Sequence, residues 1–244
     1  MGFPSIPTAA DNRILWVTGL TCASQLTSPS LTTSNNNAGD LLIAIAVIYD
    51  GNSTNAEFSS WGGSFTEFVD QATTATMGIG CAYKFSDGTE TGTFTVTTAD
   101  TSTNDYAFCL LSIPSAHPTT PPEGGTIANG TAAAADPGSF NPAGWDVEDT
   151  LWIAVAGTGE TSTTGTYTGT ASAPANYTGF SGSGISADVV GGVDAAVAFR
   201  TLRAASEDVG TFSVDISNAR NSALVLAVRG TITPPELTMA RTRV

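Results

Sequence analysis

The chain repeats itself, and no other feature limits its possible folds as strongly. Gly39-Asp40-Leu41-Leu42-Ile43-Ala44-Ile45-Ala46-Val47 resembles Glu148-Asp149-Thr150-Leu151-Trp152-Ile153-Ala154-Val155-Ala156. Ala82-Tyr83-Lys84 is answered by Ala198-Phe199-Arg200, and Gly92-Thr93-Phe94-Thr95-Val96 by Gly210-Thr211-Phe212-Ser213-Val214. Ala107-Phe108-Cys109-Leu110-Leu111 is answered by Ala223-Leu224-Val225-Leu226-Ala227. The order is kept, and the separation grows only from 109 to about 118 residues. That period is too long for a solenoid unit and close to one small β-sandwich.

The repeated segments read as strands. Met77, Ile79, Cys81, Tyr83 and Phe85 alternate with Gly78, Gly80, Ala82 and Lys84, a period of two. Val193, Ala195, Val197 and Phe199 form the matching face, and Phe94 and Val96, like Phe212, Val214 and Ile216, alternate with polar residues. Each alternation implies one core face and one wet face. Leu41 to Ile48 and Phe108 to Leu111 are apolar throughout, which marks central strands. Asp50-Gly51-Asn52, Ser86-Asp87-Gly88 and Gly157-Thr158-Gly159 supply turn chemistry. Long runs of Ala, Leu, Glu and Lys are absent and Lys84 is the only lysine, so good helix formers are scarce on any would-be surface. The expected fold is all-β: two tandem duplicated antiparallel β-sandwich repeats, jelly-roll or Greek-key in type, with extended terminal arms.

The first repeat with its N-terminal arm is expected over residues 1–117, the second over 118–232, and a C-terminal tail over 233–244. Pro114-Ser115-Ala116-His117-Pro118-Thr119-Thr120-Pro121-Pro122 reads as a stiff connector. Residues 1–12 and 233–244 are expected to be arms that reach neighbouring subunits. Prolines stand in both, and Arg241 and Arg243 give the tail a basic tip on a chain of net charge −14.

That charge argues against binding a nucleic-acid backbone or an anionic membrane surface. No secretion signal is visible at the N-terminus, and no apolar run approaches the ~20 residues that span a bilayer. Cys22, Cys81 and Cys109 match no zinc spacing. Cys81 aligns with Val197 and Cys109 with Val225, so the reading favours buried free thiols over a Cys81–Cys109 bridge.

Little in the sequence points to chemistry. His117 is the only histidine and reads as an exposed connector residue, so neither a Ser-His-Asp arrangement nor a histidine metal site is expected. The acidic turns at Asp50, Asp87–Glu90 and Glu207-Asp208 lack the EF-hand spacing. With 22 acidic residues, some carboxylate pair is always available, so pairing carries no specificity. Gly157-Thr158-Gly159 and Gly179-Phe180-Ser181-Gly182-Ser183-Gly184 lack a phosphate-loop ending and read as long loops. Trp61 and Trp145 stand in glycine-rich stretches, where each could stack on a sugar or cap a sandwich end. Asn52, Asn129 and Asn176 lie in glycosylation sequons.

The run Gly39–Ala44, then Trp61 to Phe68, then Ala82-Tyr83-Lys84-Phe85, then Glu90 to Val96, resembles a β-sandwich module of tailed-phage virion proteins. The resemblance covers most of residues 28–113 and, more weakly, 137–230. Its motifs are structural, so it transfers no catalytic residue and no cofactor. It implies a bacteriophage virion structural protein, located in the virion and assembled in the host cytoplasm. A capsid decoration (cement) protein is the first expectation, with the major capsid protein or other virion proteins as partners. Threefold lattice sites make a homotrimer the first guess for its assembly. A receptor- or carbohydrate-binding module of a tail fibre or spike is the alternative, and a hydrolase on a jelly-roll scaffold the third. Arg241, Arg243, Trp61 and Trp145 are the candidate partner-binding residues.

Overall fold

The computed structural model describes residues 2–22, 24–49, 57–70, 76–98, 104–131, 134–160, 172–184, 192–213 and 220–231. These residues are all-β and hold no α-helix. The strands of the first half are β1 (Ile14–Cys22), β2 (Gln25–Thr27), β3 (Leu41–Tyr49), β4 (Phe58–Trp61), β5 (Thr66–Val69), β6 (Met77–Phe85), β7 (Thr95–Thr98) and β8 (Asn104–Ile113). Those of the second half are β9 (Glu123–Gly124), β10 (Ala128–Gly130), β11 (Ala134–Ala135), β12 (Ser139–Phe140), β13 (Glu148–Glu160), β14 (Thr178–Gly184), β15 (Gly192–Ala204), β16 (Glu207–Asp208), β17 (Phe212–Ser213) and β18 (Arg220–Arg229).

Two long antiparallel sheets organise the molecule. One runs β1-β8-β3-β6-β5, and the other runs β10-β18-β13-β15-β14 with β9 also on β18. Three smaller sheets are β2-β7-β4, β11-β17 and β12-β16. A single apolar cluster joins Ile43, Ile45, Val47, Ile79 and Leu111 of the first long sheet to Ile153, Val155, Val197, Leu224 and Leu226 of the second. The long sheets therefore face each other across one shared core. Leu26, Phe58, Phe65 and Val96 of the first half cover the other side of its long sheet. Ala135, Tyr177, Val209 and Phe212 do the same in the second half.

This layering explains why β3 is buried along its whole length. Its odd residues point into the shared core and its even residues, Leu42 to Ile48, into the outer one. It also corrects the reading of β6. Gly78, Gly80 and Ala82 were expected on a wet face but are buried, because the outer layer covers them. A Cβ on Gly80 would lie 2.3 Å from the Phe58 ring, so only glycine admits that ring.

Register places Ile45 opposite both Cys81 and Cys109. Val155 holds the corresponding place in the second sheet, opposite Val197 and Leu224. Leu224 thus stands opposite a core-facing residue of its central strand, as Cys109 does opposite Ile45. Val225 points into the outer cluster and Leu224 into the shared core.

Two glycine-rich segments expected as turns or loops are strands. Gly157-Thr158-Gly159 continues β13, where added Cβ atoms would meet Val47 Cγ1 at 2.4 Å and the Tyr49 ring at 2.6 Å. These glycines admit side chains from the facing sheet rather than turn the chain. Gly179 to Gly184 belongs to β14, an edge strand with an irregularity between Thr178 and Ser181. Ser86-Asp87-Gly88 is a turn as expected, with Gly88 at φ 84°.

The N-terminal segment is not an extended arm. Gly2 bridges Thr231, Ser5 N–H donates to the Pro114 carbonyl, Pro4 and Pro7 are buried, and Ile6 packs on the shared core. The prolines that discourage regular structure also give this segment apolar surface to bury against its own chain. The connector docks as well: Ala116 bridges Gly230, and His117 N–H donates to the Arg229 carbonyl. The Asp50-Gly51-Asn52 turn, Asn52, Val214, Ile216 and the tail with Arg241 and Arg243 lie outside the described residues.

Candidate functional site

Trp61 ends β4 on the outer face of the first half. Its ring packs on Phe58 (centroids 5.6 Å apart) and Phe108 (6.1 Å), and its indole N–H donates to Glu67 Oε2 at 2.6 Å. The side chain is half-buried, so it caps the outer cluster while keeping an edge and a carboxylate at the surface. Trp145 follows a turn closed by its own N–H on the Pro142 carbonyl, with Gly144 at φ 73°. It packs on the outer cluster of the second half, and the Arg229 guanidinium stands 5.9 Å from its ring centroid. Arg229 is held there by two hydrogen bonds to the Glu148 carboxylate. The two tryptophans thus lie on opposite outer layers and do not form one site.

His117 is half-buried rather than exposed. Its Nδ1 accepts from Thr120 N–H at 3.1 Å and shares a hydrogen bond with the Thr120 hydroxyl at 2.8 Å. The connector turn therefore occupies that ring nitrogen. Among the described residues, no cluster of three or more His, Cys, Asp or Glu side chains could hold a metal ion.

Of the acidic residues singled out from sequence, Glu90 and Glu207 are held by hydrogen bonds from neighbouring groups. Burial disfavours the Glu90 carboxylate. Hydrogen bonds from the Ser86 hydroxyl, the Asp87 amide and Lys84 outweigh that burial and hold its pKa down at about 2. Glu207 accepts from Arg200 at 2.6 Å and lies beside the buried Tyr177 hydroxyl. Burial first, and Glu207 second, push that phenol well above its usual range. Burial does the same to the Cys81 and Cys109 thiols, which are unreactive in that state.

Sequence reasoning missed one concave feature. An open cleft of about 390 Å³ lies where the edges of the two long sheets meet, lined by Phe68, Val69, Asp70, Gly124, Gly125, Thr126 and Ile127. Its walls come from residues more than fifty positions apart, and the Gly124-Gly125 pair was the only local hint. No helix among the described residues is long and apolar enough to cross a membrane.

No protein-family model matches this chain, and no curated protein or solved structure matches it.

Proposed function

We propose that the chain is a non-enzymatic virion structural protein of a bacteriophage, most specifically a capsid decoration protein that binds and stabilises the shell. It is built from two tandem copies of one β-sandwich module. The observation that carries this reading is the agreement of the halves beyond sequence. The strand orders β8-β3-β6-β5 and β18-β13-β15-β14 correspond, and β5 and β14 carry irregularities at matching places. Lys84–Glu90 and Arg200–Glu207 are ion pairs at matching places too. Two copies fused through a common core make a stiff body that presents two related outer faces, as suits a protein that bridges repeated lattice positions. The resemblance of residues 28–113 to phage virion modules supplies the context.

The experiment is to add purified protein to phage capsids that lack it, then measure co-sedimentation and the temperature at which the shell opens. Saturable binding with a raised opening temperature supports the proposal. Absence of the protein from purified virions overturns it. The Trp61–Glu67 pair favours a second reading, a carbohydrate-binding module of a fibre or spike, because an aromatic edge beside a carboxylate suits a sugar. Glycan binding that is lost in Trp61→Ala at unchanged thermal stability would favour that reading over decoration.

A further inference from the structure

The long sheets meet along two seams, and the seams differ. At one, β1 of the first sheet lies against β14 of the second, and the Trp16 indole N–H donates to Ser181 Oγ at 2.9 Å. At the other, β5 lies against β9. Register makes these seams positional counterparts. Ile14 pairs with Leu111 and Trp16 with Cys109 on β8. In the second sheet Gly124 pairs with Leu226, and Ile127 stands one residue before Ala128, which pairs with Ala223. Gly124 therefore occupies the place of Ile14, and Ile127 that of Trp16. Two residues, Gly125 and Thr126, stand where the first sheet has one, which divides β9 from β10.

Across the seam the correspondence also holds. Val69 pairs with Cys81, and Ser181 pairs with Val197, the counterpart of Cys81. Val69 thus stands where Ser181 stands, and Asp70 where Gly182 does, while the Phe68 ring packs on the shared core and the Phe180 ring on the outer cluster. One seam is filled by an indole that hydrogen-bonds across it. In the other the indole is replaced by isoleucine and an isoleucine by glycine. Val69 Cγ2 leans over Gly124, within 2.2 Å of where a Cβ would be, and takes up part of the room. The remainder is the cleft of about 390 Å³, a size that small-molecule sites use.

We propose that this cleft binds a small planar aromatic molecule that carries a donor or cationic group, of the indole-amine class. The ring would lie between Ile127, Val69 and Phe68, as the Trp16 ring lies in the counterpart seam. Asp70, whose counterpart is Gly182, lines the cleft and brings a carboxylate that the filled seam lacks. Asp70 Oδ1 already accepts from Phe58 N–H at 3.2 Å, which fixes the carboxylate at the rim. Gly124 and Gly125 bring bare backbone to the cleft lining: Val69 occupies the place of a Cβ on Gly124, and a Cβ on Gly125 would press on Phe140 and Val225 of the outer cluster at 3.3 Å. This inference rests on positional equivalence and not on the virion role, so it stands or falls separately from it.

The test titrates the full chain with indole and with tryptamine, following the methyl resonances of Val69 and Ile127. Saturable shifts at both residues are expected, with tryptamine tighter than indole by about tenfold, as a hydrogen bond to a charged group contributes. Ile127→Trp should fill the cleft from within, as Trp16 does, and weaken both ligands at least about tenfold while the melting temperature holds or rises. Asp70→Asn keeps an acceptor for Phe58 N–H and should remove the preference for tryptamine while leaving indole binding in place. Unsaturable shifts in the wild type, or full binding by a folded Ile127→Trp protein, would overturn the site. An unchanged tryptamine preference in Asp70→Asn would overturn the part assigned to Asp70, and with it the amine class of ligand.

Discussion

Lys84 reaches Glu90 across the turn that follows β6, Nζ to Oε1 at 3.1 Å, and Arg200 reaches Glu207 in the same way after β15, at 2.6 Å. Each pair fastens the end of a long central strand to the segment that leads back toward an outer sheet. In the first half the carboxylate does more: Glu90 also accepts from Asp87 and Gly88 N–H and from the Ser86 hydroxyl. One acidic side chain thus satisfies several donors of a tight turn.

That arrangement gives stability a pH dependence with a definite sign. Glu90 in the folded chain titrates at about 2, below its ordinary value of 4.5. The ionised form is therefore favoured by folding. Its contribution is fully present above about pH 4.5 and is lost as pH falls toward 2. Melting curves of wild type and Glu90→Gln should differ at neutral pH, with the variant melting lower, and should converge near pH 2. A difference that stays constant across that range would contradict this account.

Cys81 and Cys109 flank Ile45 on opposite sides, so β3 lies between their strands. Two strand spacings put their Cα atoms roughly 9–10 Å apart, beyond the ~7 Å limit for a disulfide. Both thiols should be reduced, label slowly in the native protein and label quickly on denaturation. Cys109→Val should cost less than ~1.5 kcal/mol, as near-isosteric core exchanges do. An intact mass showing an 81–109 bridge would refute the register.

Gly157 gives Val47 its place in the shared core. Gly157→Ala should destabilise by about 1–3 kcal/mol, as overpacking does. In the double variant with Val47→Ala, the two costs should not add, because removing the valine methyls makes room for the new one. Additive costs in denaturant titrations would show that the two residues do not meet.

Ile6 tests the docked N-terminal segment. It packs on the shared core and lies 3.3 Å from the position of a Cβ on Gly179. Ile6→Ala should lower stability by about 1–2 kcal/mol, less than the 2–5 kcal/mol of a fully buried site. A free arm would give no change in melting temperature.

Much of the fold was legible in local pattern. The unbroken apolar run Leu41–Ile48, bounded by turn residues and rich in Ile and Val, reads as a central strand, and β3 is that strand. The alternation from Met77 to Phe85 marks β6, and Asp87-Gly88 marks its turn. The period-two alternation, with plentiful Thr, Val, Ile and aromatic residues, pointed to the all-β class. Of the residues proposed from sequence as binding sites, the two described ones did not come together: Trp61 and Trp145 lie on opposite outer layers.

The chain by itself determined where strands run and which residues alternate, because a strand's periodicity is a property of consecutive positions. What lies against each face is set by segments a hundred or more residues away, and only the tertiary structure decided it. Glycine shows the difference most directly. Gly39 turns the chain through its own backbone freedom, at φ 89°, where a Cβ would meet nothing within 4 Å. Gly157 and Gly159 stay extended in β13 because Val47 and Tyr49 press on them from the opposite sheet. The same residue type has two meanings, and the one that depends on a missing side chain appears only when its distant neighbour is in place. The cleft beside Gly124 arises in the same way, from what Val69 and Ile127 leave unfilled between two sheet edges.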